Sequence, residues 1–358
     1  MKPISDFGFR ISLLGWMAVG LLLPSAAQAA RFTNTPVRAI ITVADKDSTV
    51  MLAGRTDVDL FYSPPNVPPG VYASIPLAGV QNARLEFTVD ETAVDKAVVA
   101  RRWREAAALV LRGIEPTLPY LDLPGNEAAD AAASASIYLL NAAALAQRSG
   151  TEGAKAAQPL LAMVVRLSDR LQNCAAWFYG AEAARLRAVQ ALTSLNRLDD
   201  AVKRMEDAAI PEPGDGDFGL YWLAKATLAE ARGEPREATD AAARSLAFDN
   251  KNPETFGPAL MLYARSCENA QDWYRARDVY FEVSRLFRGT DYGDLARERL
   301  TFIMKEGLTS EKEAANVTKL FFGSEEDMDA LATKWLDELA KLSNAAPGGA
   351  AKQEEKKP

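Results

Sequence analysis

The sequence predicts a mainly α-helical protein, a solenoid of antiparallel helix pairs preceded by a small antiparallel β module. Three observations point there. From about Glu91 to Leu342, Ala- and Leu-rich apolar positions recur at spacings of three and four, the period of one helix face. From Phe32 to about Asp90 they alternate instead, the period of a half-buried strand. Gly, Pro and Asn interrupt the helical part at intervals of roughly 15 to 25 residues, one helix plus a joint. Helices joined that closely fold back as antiparallel neighbours.

The elements follow in chain order. Residues 1–29 read as a secretory signal peptide: Lys2 and Arg10, then the apolar run Ile11 to Leu23, then Ala27-Gln28-Ala29 as a small-x-small cleavage site. The apolar run is shorter than the ~20 residues that span a bilayer, so no membrane span is expected after cleavage. Residues 30–90 form the β module. Val37, Ala39, Ile41 and Val43 give one strand, Val50 and Leu52 a second, and Val58, Leu60 and Tyr62 a third. Leu85, Phe87 and Val89 give the last. Asp45-Lys46-Asp47 and the proline-rich stretch Pro64 to Gly70 mark turns. Its length and alternation suit an SH3-like barrel, by analogy alone. Helical repeats are expected over residues 91–308, a helical cap over 309–342 and a disordered tail over 343–358. In the cap, Met328, Leu331, Trp335, Leu336 and Leu339 make the apolar face that closes the stack.

Composition narrows the function. The 358 residues are 48% hydrophobic and 25% charged, enough for a sizeable core. A net charge of −7 argues against nucleic acid, whose affinity comes from Lys and Arg on phosphates. The chain contains no histidine, which removes Ser-His-Asp and Cys-His catalysis and every His-ligated zinc site. No phosphate loop, nucleophile elbow or cofactor motif stands in a convincing context, so neither a cofactor nor a metal is expected.

The helical part carries a period. With Gly219 as the first position of a 34-residue unit, Trp222 falls at position 4, Ala226 at 8, Gly233 at 15, Ala238 at 20 and Ser245 at 27. A unit from Gly257 places Leu260, Ala264, Ala276 and Tyr280 in register, with Gln271 in place of the Gly at 15, and one from Glu182 places Asn196, Ala201 and Ala208. A looser pair spans Glu127 to Gln172, and Arg101 to Pro116 makes a half-unit with Trp103, Ala106 and Leu111. This pattern resembles the tetratricopeptide repeat over residues 127–300. Lys225, Ala229, Ala242 and Asn250 depart from it. The run from Ala276 to Leu300 is similar to exported repeat proteins of Gram-negative envelopes, those of outer-membrane protein assembly and the Tol–Pal machinery. Small residues at positions 8, 20 and 27 let paired helices approach closely, and each pair buries its apolar face only by stacking.

The resemblance implies a ligand surface on the concave side. Carried over, its polar positions are Gln190, Thr193 and Ser194, then Thr227 and Glu230, then Arg265, Glu268 and Asn269. A protein or peptide of the cell envelope is the partner this implies, for a non-enzymatic scaffold in the periplasm. Two other readings stay open: a glycan-binding protein that uses the β module, where Tyr62 and Tyr72 flank the proline-rich loop, and a carboxylate-based hydrolase. Asp215 and Asp217 sit in a Gly-rich stretch but lack the acidic twelfth position of a calcium loop, so they read as a polar joint. Cys174 and Cys267 lie two units apart and read as buried hydrophobes rather than a disulfide.

Overall fold

The computed structural model of the chain describes residues 31–63, 70–248, 252 and 254–309, without the side chains of 31–35 and 248. The expected signal peptide, the loop 64–69, the cap beyond Thr309 and the tail lie outside the described residues. The protein is mainly helical, with a small antiparallel sheet at its N-terminal side. It divides into two compact units, Met1–Ala270 and Gln271–Pro358, and each is described by itself.

The first unit opens with five strands: β1 (Arg31–Val43), β2 (Lys46–Arg55), β3 (Asp59–Ser63), β4 (Ala73–Pro76) and β5 (Val80–Leu85). They pair antiparallel in the order β4-β3-β2-β1-β5, with a 3₁₀ turn at Leu77–Gly79 between the last two. The alternating residues do what their period requires. Val37, Ala39 and Ile41 point inward, and Ala39 sits across from Val50 on one side and Leu85 on the other. Leu60, Tyr62, Ile75, Val80 and Ala83 complete one core. The β1–β2 turn falls at Ala44 and Asp45, both at positive φ (48° and 58°), the twist that suits a tight hairpin.

Two parts of the expected strand pattern differ. Val58 is 67% exposed and stands in the bend before β3. After β5 the ladder ends where the Glu86 amide donates to the Arg38 carbonyl (2.8 Å). Phe87 and Val89 keep the period of two but lie outside the sheet and pack against the helical core. Extended backbone alternates whether or not a partner strand is present.

Asp90 then caps α1 (Glu91–Val99), its carboxylate accepting from the Ala93 amide (2.9 Å). Next come α2 (Trp103–Ile114), a 3₁₀ helix (Glu115–Tyr120), α3 (Ala128–Gln147), α4 (Gly150–Gln172), α5 (Ala181–Ser194) and α6 (Leu198–Glu206). Then follow α7 (Phe218–Ala231), α8 (Pro235–Phe248) and α9 (Phe256–Asn269). Helices α5, α7 and α9 each begin one residue before the start that the repeat register gives. Among the described residues α3 alone is long and apolar enough to cross a membrane. It is an Ala-rich core helix, with Ala128, Ala132, Ala135, Leu139 and Ala143 buried.

Each helix packs on the next, and α3, α5, α7 and α9 also touch one another two apart, a packing consistent with a helical repeat. The small residues stand where helices meet. Ala226, Ala238 and Ser245 are buried between α7 and α8, and the Ser245 hydroxyl donates to the Gly219 carbonyl across the pair (2.9 Å). Ala201 and Ala264 are fully buried in their own units.

The turns recur as well. Arg101, Gly150, Asn196, Gly233, Gln271 and Gly307 all take positive φ just past a helix end. At Arg101, Asn196 and Gly233 the next amide donates five residues back, Arg102 to Ala97, Arg197 to Leu192 and Glu234 to Ala229 (2.8–2.9 Å). This is the helix-ending motif that a left-handed residue permits.

The segment from Glu115 to Asn126 ties the β module to the helices. Tyr120 is fully buried and, with Leu123, belongs to the module's core. The Ala83 amide of β5 donates to the Pro124 carbonyl (2.7 Å). Arg55 of β2 donates to the Pro119 carbonyl (3.1 Å) and pairs with Asp122. From the helical side, Trp177 Nε1 donates to the Asp122 carbonyl (3.2 Å) and Cys174 Sγ to that of Leu121 (3.1 Å).

In the second unit, α10 (Trp273–Leu286) packs on α11 (Asp291–Lys305) around Ala276, Tyr280, Val283, Ala296 and Ile303. Thr290 caps α11 by accepting from the Gly293 amide (3.2 Å). The division between units falls at Ala270, inside the repeat that the register starts at Gly257.

Candidate functional site

Helices α5, α7 and α9 lie side by side, and the sequence-predicted positions fall in their final turns. The structure sorts these residues into three groups. Thr193 is buried and its hydroxyl donates to the Val189 carbonyl (2.8 Å), so its polarity is spent inside α5. Thr227 is half-buried and does the same to Leu223 (2.8 Å). Glu230 and Arg265 come together: both guanidinium contacts to the carboxylate are 2.9 Å, a two-toothed bridge from α7 to α9. Ser194 and Asn269 are exposed, and Gln190 and Glu268 are half-buried. The Gln190 side-chain nitrogen is buried without a hydrogen-bond partner among the described residues.

A second cross-helix pair escaped the sequence reading. Arg187 of α5 is 7% exposed and grips Glu254, in the segment before α9, through two contacts of 2.6 and 2.9 Å. Glu254 stands 67 residues further along the chain, and "ARLRAVQAL" reads as an ordinary helix with a surface arginine. No local signal could have found the pair. Asp217, which precedes α7, sits in the same charge group. Burial pushes its carboxyl up; Arg187 pulls it down; Glu182, Glu254 and Asp215 push it up again. Asp215 turns back on its own loop and accepts from the Glu212 amide (2.8 Å), the geometry of a polar joint.

Asp217 therefore has a sign that can be tested. Its folded-state value lies above the ordinary 3.8, so the folded chain holds that proton more tightly than the unfolded chain. Stability falls as pH rises from the ordinary value through the raised one, and the charged carboxylate is a net cost at neutral pH. Asp217→Asn is expected to stabilise the protein at pH 7 relative to wild type. The difference should shrink below the ordinary carboxylate value, as read by urea unfolding at both pH values.

Elsewhere, Tyr62 joins the module's core and burial pushes its hydroxyl up. Tyr72 is half-buried. Both cysteines are buried and neither forms a disulfide. Burial and, less strongly, Asp122 push the Cys174 thiol up to about 12, which suppresses its thiolate. Among the described residues no group of three acidic or cysteine side chains is arranged to hold a metal ion.

Comparison with protein-family models matches none of them, and a search of curated proteins gives no significant match.

Proposed function

We propose that the chain is an exported, non-enzymatic scaffold of the tetratricopeptide type, which holds an envelope protein or peptide along the row α5–α7–α9. The observation that carries the reading is the direct contact of helices two apart, from α3 through α9. Such contacts lay one helix of each pair into a continuous surface, as stacked repeats do. The bridge from Glu230 to Arg265 ties adjacent helices on that surface. Ser194 and Asn269 remain solvent-facing, with Gln190 and Glu268 half-exposed, for an extended ligand held by many polar contacts. The leader-like residues 1–29 support export to the periplasm. The strand order and the 3₁₀ turn before β5 support an SH3-like module.

In-cell photo-crosslinking tests the binding face. A reactive residue at Ser194 or Asn269 should give a discrete adduct, identified by mass spectrometry. The same probe at Lys203, exposed on α6, should give none. Equal labelling from all three sites, or none at 194 and 269, would remove the row as the docking surface.

A further inference from the structure

The start of α2 and the end of α3 enclose an open cleft of about 580 Å³, on residues that the row α5–α7–α9 does not use. Its floor is apolar: Trp103, Ala142, Leu145 and Ala146. Trp103 is held by stacking on Tyr138, with ring centres 6.3 Å apart and planes 22° apart. Leu145 is 39% exposed, a large apolar side chain left facing water.

The rim is cationic. Arg101, Arg102 and Arg104 line it beside a single acid, Glu105, in a chain whose net charge is −7. Arg102 is engaged with Glu105 (2.9 Å). The guanidiniums of Arg101 and Arg104 make no hydrogen bond or ion pair among the described residues. Helix α2 starts without a side-chain cap, so the positive end of its dipole opens on the same place. Arg101 also holds a left-handed φ of 54°, a conformation that Gly150, Gly233 and Gly307 fill at corresponding turns without strain.

We propose that this cleft docks an acidic, amphipathic peptide of a partner protein. An apolar side chain covers Trp103 and Leu145, and flanking carboxylates pair with Arg101 and Arg104. Charge complementarity selects the acid. The apolar floor selects a peptide over a small anion, which would leave that floor wet.

The test uses the full chain and a short fluorescein-labelled peptide that alternates Asp and Glu with Leu and Phe. Binding is followed by fluorescence anisotropy at low and at physiological salt. Saturable binding that weakens with salt is expected. Two variants should each weaken it about tenfold or more. R101G/R104Q removes both cations and relaxes the turn, so the fold is kept. L145E places a like charge on the floor. Circular dichroism checks that both fold. No saturable binding, equal binding by either variant, or equal binding of a Lys-for-acid peptide would overturn the proposal. Arginine-dependent binding to phosphatidylglycerol vesicles in preference to the peptide would overturn it too and make lipid the occupant. The crosslinking at Ser194 and Asn269 reads a different surface, so the two ideas fail separately.

Discussion

Replacing Tyr120 by Ala is expected to destabilise the first unit by about 3–5 kcal/mol, the range for removing a fully buried aromatic. Tyr120 comes from the helical side of the chain, yet its ring fills the core formed by Val37, Ile41, Leu52, Leu60 and Ala83. The cavity would open at the joint. Around it lie the Ala83–Pro124 backbone bond, the Arg55–Asp122 pair and the Trp177 indole on the Asp122 carbonyl. A domain has roughly 5–15 kcal/mol of stability in all, so much of it would go. Urea unfolding followed by far-UV circular dichroism and by tryptophan fluorescence measures the loss. A cost below about 1 kcal/mol would mean that the joint is not part of either core.

The second large effect is expected at Glu254. Glu254→Gln should cost about 3 kcal/mol, because it removes the carboxylate paired directly with the buried Arg187 guanidinium and leaves only the more distant charge of Asp217. The Arg187 side chain is 9% exposed and that of Glu254 22%, so solvent does little to screen the change. Replacing both, as Arg187→Met with Glu254→Leu, should recover most of the loss, since an apolar pair of similar volume need not be desolvated as ions. The double-mutant cycle isolates the coupling. A double variant no better than the singles would show that shape rather than charge holds this contact.

Much of the fold was legible because it depends on short-range patterns. Small residues at 226, 238 and 245 implied close helix contact, and they stand at one. Gly150, Asn196, Gly233, Gly289 and Gly307 marked the joints as breaks in an apolar period, and all five take a left-handed φ. Arg101 was missed as a turn residue because an arginine carries no such signal; its conformation is imposed by the helices on either side. Phe87 and Val89 were read as strand because alternation records exposure, not pairing. The site was less legible. Thr193 fits the register of a groove residue, but the side of α5 on which it falls is covered by packing that a repeat register does not contain. Arg187–Glu254 depends on three-dimensional proximity across a whole repeat, and nothing local encodes it.

The central claim is that these helix pairs are stacked units and not one undivided bundle. Hydrogen exchange read by mass spectrometry on Glu254→Gln tests it most directly. In a stack the loss is local to the neighbours of the broken contact. Amides of α5, α7 and α9 should lose protection first, while β1 to β5 and α2 keep theirs. A uniform loss across the first unit, sheet and helices together, would contradict the account and describe a single cooperative bundle.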